Sequence, residues 1–180
     1  MNRERVTVEF FEIATQYYIT GRFATHGQFL PVAGNLLHHS IEMYLKGALS
    51  EWTPLEKLRD MQHNLPRLWK AFKDRLEDHR LDAFDSTINE LHRFERIRYP
   101  DRLISEGAES TISLRSDMRV RSESGGLLPL PSYNLVLEDA DQLVKNIFEK
   151  AHANPPFYTQ RLGEHARRYL GLNNFHPLGG

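Results

Sequence analysis

The sequence predicts an all-α protein, an antiparallel up-and-down bundle of four to five main helices with one long loop at about 100–134. Three observations carry this. Apolar residues recur at three- and four-residue steps along most of the chain. Helix-start and helix-stop residues divide those stripes into lengths usual for helices. The connections are short, apart from one stretch where the helical period disappears, and short connections make neighbouring helices antiparallel.

In the first segment Phe10, Ala14, Tyr17, Gly21 and Ala24 form the stripe, with Phe11 and Tyr18 beside it. Gly21 costs helix propensity but allows another helix to approach closely. After Gly27 a second helix carries Leu30, Ala33, Leu37, Ile41, Leu45 and Ala48, the most regular stripe of the chain. Thr53, Pro54 and Glu56 then read as a helix start: threonine caps, proline fits the first turn, and glutamate reaches back to the cap. Pro66 disfavours helical geometry at Leu65, so a further helix begins near Asn64, with Leu65, Leu68, Trp69, Phe72 and Leu76 inward. The next is expected from Leu81 to Arg98, stopped by Pro100, with Phe84, Ile88, Leu91 and Phe94 inward. A late helix takes Ala140, Leu143, Val144, Ile147, Phe148 and Ala151 and ends at Asn154-Pro155-Pro156. A short amphipathic piece with Leu162, Ala166 and Tyr169 precedes a loose tail, "NNFHPLGG". Two alternating pieces, Thr111–Leu114 and Met118–Arg121, leave room for a small hairpin in the long loop. The expected organisation is a bundle domain over 1–154 that includes the loop, followed by a short helix and tail over 155–180.

Composition excludes several functions. A formal net charge of −1 gives no global field for nucleic acid, so any such site must be a local basic patch. The absence of cysteine removes thiol nucleophiles, disulfides and thiolate metal sites. The N-terminus lacks the apolar core of a signal peptide, and no apolar run approaches the roughly 18 residues of a membrane span. The expectation is a cytoplasmic protein with no membrane partner. No Gly-rich phosphate loop, H-E-x-x-H or G-x-S-x-G stands in the chain.

Chemistry could lie in "HHSIEMYLK", where His38, His39, Glu42 and Lys46 share one helix face. Imidazole with carboxylate is a common ligand pair, but a metal needs further ligands from another helix. No second histidine–carboxylate pair declares itself, so neither metal nor cofactor is expected. A Glu42–Lys46 pair on a polar face with two ordinary histidines is the plainer alternative. His63, at the joint in "MQHNLPRLW", is the weak candidate for a catalytic base, or else serves the turn. "HRFERIRYPD" brings Arg96, Arg98, Tyr99 and Asp101 to one helix end. The arginines of the following loop, Arg102, Arg115, Arg119 and Arg121, are largely offset by Glu106, Glu109, Asp117 and Glu123.

With "LLHHSIEMYLKGAL", "HNLPRLWKAF", "ERIRYPD" and "LVLEDADQLVKNIFEKA" in this order, the chain resembles the HEPN superfamily over roughly residues 6–153. These are small helical bundles found in bacterial toxin–antitoxin, phage-defence and RNA-processing systems. The resemblance implies a homodimer with a groove at the bundle interface and RNA or a nucleotide as ligand. Many members are metal-independent ribonucleases using an arginine followed, after four to six intervening residues, by a histidine. None of the nine histidines here has an arginine at that spacing. Arg22–His26, Arg59–His63, Arg75–His79 and Arg161–His165 fall one residue short, and Arg96 and Arg98 run into Pro100 without a following histidine.

The resemblance therefore points to a non-catalytic domain binding RNA, a nucleotide or a partner protein. Its expected ligand residues are Arg96, Arg98, Tyr99 and Asp101, with Glu42, Lys46 and His39 as companions. The alternatives are a metal-independent endoribonuclease with a rearranged Arg/His pair, His63 first, and a pure interaction subunit beside a nucleotidyltransferase or defence protein.

Overall fold

The computed structural model describes residues 3–106, 109–114 and 132–170. Its helices are α1 (Arg3–His26), α2 (Leu30–Leu49), α3 (Leu55–Asp60), α4 (Leu65–Leu76), α5 (Asp85–Arg93), α6 (Pro100–Glu106), α7 (Leu137–Lys150), α8 (Pro155–Thr159) and α9 (Glu164–Arg168). Turns of 3-10 helix precede and follow α5, at His79–Phe84 and Phe94–Ile97. Two strands, β1 (Glu109–Ser113) and β2 (Ser132–Val136), complete the described elements. The protein is a mainly α-helical bundle, and among the described residues no helix is long and apolar enough to cross a membrane.

α2 is the central helix, and its sequence explains why. Of the expected stripe, Ala33, Leu37, Ile41, Leu45 and Ala48 are buried and Leu30 is half-buried, and Gly34, His38, Ser40, Glu42 and Tyr44 are buried on the other sides. Such a helix needs neighbours all round. α1 lies antiparallel to it: Thr15 meets Tyr44 at 3.0 Å, and the Ser40 hydroxyl donates to the Ala14 carbonyl at 3.0 Å. Near the other end of the pair Gly21 faces Leu37, where an added Cβ would stand 2.9 Å from Leu37 Cδ2. The close approach expected of Gly21 is made there.

Several expectations need correction. The seam of α1 runs through Phe11, Ala14, Tyr18 and Arg22, and Tyr17 is exposed. Ala14, Gly21 and Ala24 of the expected stripe are buried, as are Phe11 and Tyr18 beside it, but Phe10 is only half-buried and the seam takes in Arg22. Its guanidinium pairs with buried Asp141 on α7 and donates to the Tyr169 carbonyl at 2.8 Å. Thr53 makes no capping bond to α3, which starts after Pro54. Asn64 does cap α4, accepting from the Arg67 N–H at 3.0 Å. The helix expected over 81–98 is divided, with α5 as its α-helical part. Pro100 opens α6 instead of stopping a helix, since its fixed φ and missing N–H suit a first turn. The β1–β2 pair is parallel, joining Glu109–Ser113 to Ser132–Val136, so it is not a hairpin. Met118–Arg121 and the tail "NNFHPLGG" lie outside the described residues. β2 alternates buried Tyr133 and Leu135 with exposed Asn134 and runs straight into α7.

Candidate functional site

The i, i+4 spacing of His38, Glu42 and Lys46 stacks these side chains along α2, with His39 beside them. This is no polar surface: Glu42 is fully buried and Lys46 nearly so. The Glu42 carboxylate is held from three directions. Lys46 Nζ donates to Oε1 at 2.6 Å, while His39 Nδ1 and His63 Nδ1 stand 3.2 and 2.9 Å from Oε2. Burial pushes the carboxyl pKa up, but the bonds from His39, Lys46 and His63 outweigh it and hold the value down at about 2. Glu42 is therefore a fixed negative charge.

His63 reaches this carboxylate because of the joint between α3 and α4. Gln62 takes a left-handed backbone with φ 48°, Asn64 caps α4, and buried Leu65 and Leu68 pin its first turn to the core. The imidazole stays half exposed, at 48%. The sequence offered no sign of this contact across 21 residues. It supplies the second histidine that a ligand set required, and among the described residues His39, Glu42 and His63 are the group that could hold a metal ion, with ligand atoms within 4.8 Å of one another.

On the inner side of Glu42 lies His38, fully buried. Its Nδ1 stands 3.1 Å from the Leu91 carbonyl of α5, which only accepts, so Nδ1 carries the hydrogen. Nε2 then faces Glu95 Oε2 at 3.6 Å and Glu42 Oε2 at 4.0 Å. Burial pushes the His38 pKa down, and although the Leu91 carbonyl, Glu95 and Glu42 oppose it, the value falls to about 4. The ring is neutral near neutral pH, and among the described residues His38 Nε2, Glu95 Oε2 and the buried Nδ1 of His92 have no hydrogen-bond partner. Four imidazoles thus run in file across the bundle. Ring centroids are 5.5 Å apart for His63–His39, 5.6 Å for His39–His38 and 5.9 Å for His38–His92.

The far end of this file opens on a cavity of about 390 Å³ lined by His92, Arg93, Glu95, Arg96, Tyr99, Asp101 and Arg102. The backbone break at Arg98–Tyr99, between the 3-10 turn and α6, splays these side chains around it. Arg98 lies 3.5 Å from Glu95, and its guanidinium sits over the Tyr99 ring. Tyr99 is 66% exposed and makes no bond to Asp101 among the described residues. Arg96 and Arg102 are exposed and have no ion pair among the described residues.

The expected site residues accordingly fall into two groups. Arg96, Tyr99 and Asp101 line the cavity, with Arg98 at its edge on Glu95. His39, Glu42, Lys46 and His63 lie together on the other side of His38, which couples the groups through Glu42 and Glu95. His92 and Glu95 were missed as site residues, and His38, noted on the α2 face, was left out of the expected ligand set. His38 falls next to the α2 apolar stripe, where a polar residue signals a buried role, whereas nothing local marks Glu95 or His92.

No family model matches the chain, and no curated protein or solved structure matches it.

Proposed function

We propose that this chain is a HEPN-like, non-catalytic domain that binds single-stranded RNA, a mononucleotide being the smallest ligand of the same chemistry. The observation behind this is the cavity at the end of α5, which Arg96 and Arg102, without ion pairs among the described residues, line together with exposed Tyr99. Guanidinium forks fit phosphate oxygens in a bidentate manner. An exposed aromatic ring offers a stacking face for an unpaired base, worth about 1–3 kcal/mol. A homodimer, and a setting in toxin–antitoxin or phage defence, belong to this proposal through the family resemblance.

The test is binding of a labelled single-stranded oligoribonucleotide followed by fluorescence anisotropy across a salt series. Affinity is expected to fall with salt, and each of Arg96→Ala and Arg102→Ala to weaken it. The log–log salt slope should drop by roughly 0.7 for each phosphate that the variant no longer neutralises. Tyr99→Ala is expected to weaken binding at every salt concentration without changing the slope. Binding that ignores all three substitutions, or no binding at all, would leave the protein-interaction subunit as the better reading. Cleavage of the RNA without added metal, abolished in His63→Ala, would replace both with the ribonuclease.

A further inference from the structure

We propose that His39, Glu42 and His63 form a binding site for one first-row transition dication of the Zn²⁺ class, separate from the RNA cavity. The donors are two imidazole nitrogens and one carboxylate oxygen, a set found around zinc with a further position left for water. Bonds of about 2.0–2.1 Å to a tetrahedral ion place its ligands roughly 3.3 Å from one another. Two edges of such a triangle are present, at 3.2 and 2.9 Å from Glu42 Oε2 to the two Nδ1 atoms, and all three ligand atoms lie within 4.8 Å. An ion could enter between them by small rotations of the two rings. The Nδ1 hydrogens that now bond to Glu42 would move to the Nε2 atoms, leaving both rings neutral and both Nδ1 lone pairs free to coordinate.

The support around the ligands is already built. Lys46 Nζ holds Glu42 Oε1 at 2.6 Å, so the carboxylate offers Oε2 alone and its orientation is fixed. His39 is carried by the best-packed helix of the bundle, and His63 by a turn fixed through the Asn64 cap and buried Leu65. Access is open, since the His63 side chain is 48% and the His39 side chain 18% exposed. Tyr17, with its ring 5.6 Å from that of His39, walls one side.

The donors also select the ion. Mg²⁺ and Ca²⁺ take all-oxygen shells, and a site with two imidazoles and one carboxylate oxygen disfavours both. Charge fixes the character of the remaining ligand. Lys46 already neutralises Glu42, so a dication leaves two positive charges, and the solvent-side position favours an anion such as hydroxide over a neutral molecule.

The experiment uses the full chain, stripped with a chelator, dialysed and titrated with Co²⁺, followed by Zn²⁺ competition. One equivalent of Co²⁺ is expected to give the visible band of low-coordinate cobalt, and Zn²⁺ to remove that band stoichiometrically. His39→Gln and His63→Gln are each expected to weaken uptake roughly a hundredfold or more, and His79→Gln, a fully exposed control, to leave it unchanged. A hundredfold excess of Zn²⁺ over its Kd should raise the wild-type Tm by about 5–10 °C and leave the His63→Gln Tm in place. Circular dichroism of the variants shows that the bundle is intact. Absence of stoichiometric uptake, or uptake indifferent to both ligand substitutions, would overturn the site. Neither outcome bears on RNA binding through Arg96 and Arg102.

Discussion

Buried His38 carries one ring nitrogen bonded to the Leu91 carbonyl and another that faces two carboxylates without bonding to either. Its protonated form would gain from Glu95 and Glu42, yet burial wins and the folded protein keeps the ring neutral down to about pH 4. The unfolded chain has no such burial and protonates this histidine near 6.5. Between these values the unfolded state binds the extra proton, so stability contributed by neutral His38 is complete above about pH 6.5 and is lost as pH falls towards 4. The shift corresponds to ~3 kcal/mol, with Glu42 adding its own loss only at lower pH, on the way to about 2. Urea denaturation at several pH values is expected to show this slope, and His38→Gln to flatten it while lowering stability at pH 7. A slope unchanged in His38→Gln would place the titration on another group. The buried pair of Arg22 and Asp141 handles charge in the opposite way, keeping both partners in direct contact. Pairing with Asp141 and the Tyr169 carbonyl is what lets α1 hold an arginine in its seam, and removing either charge would strand the other.

Between elements, the decisive contact is that of α2 with the 3-10 turn Phe94–Ile97. Gly34 lies under the Phe94 ring so closely that a Cβ there would fall 1.9 Å from Cδ1. The ring also packs against Tyr133 of β2, with centroids 5.9 Å apart, and it anchors the turn that carries Glu95 and Arg96. Gly34→Ala would gain about 1 kcal/mol of helix propensity, yet it must expel a fully buried ring. We expect a net loss of about 1–3 kcal/mol by urea denaturation, with weaker RNA binding because the cavity rim moves. Phe94→Leu in the Gly34→Ala background should recover part of that loss, and strict additivity of the two changes would argue against the clash. This contact also shows what the sequence could not display. The α2 stripe was legible because a periodic face requires no knowledge of the partner, and Asn64 was legible because capping is local. Phe94 over Gly34 and His63 on Glu42 join distant segments, and neither leaves a local pattern. The α1 seam is hidden for a related reason: Arg22 reads as a surface residue until Asp141 is brought opposite to it. Pro100 looks like a stop because a helix does end nearby, but the ending belongs to Arg98–Tyr99 and the proline to the next first turn.

At the scale of the whole molecule, the question is where the cooperative unit ends. The sequence suggests 1–154, with a helix and tail beyond. In the structure residues 155–170 pack back on the bundle. The Tyr158 ring lies 5.5 Å from Phe11 and 5.8 Å from Phe148, two fully buried core side chains. Tyr169 meets Phe23 at 5.0 Å, its carbonyl accepts from Arg22 Nε, and Leu170 is 7% exposed. Ending the chain at Asn154 would uncover Phe11 and Phe148 and remove Leu170 from its site. It would also take one hydrogen-bond partner from a guanidinium that has no exposure to water. Apolar burial of this kind is worth about 1.5–3 kcal/mol per large side chain, and a buried donor left unpaired costs about 1–3 kcal/mol. We therefore expect truncation after Asn154 to cost roughly 3–5 kcal/mol and to lower Tm by about 10 °C or more in calorimetry. Tyr158→Ala in the full chain should reproduce a minor part of that loss. A truncated protein melting within about 2 °C of the parent would make residues 155–170 an appendage resting on a bundle that is complete without them.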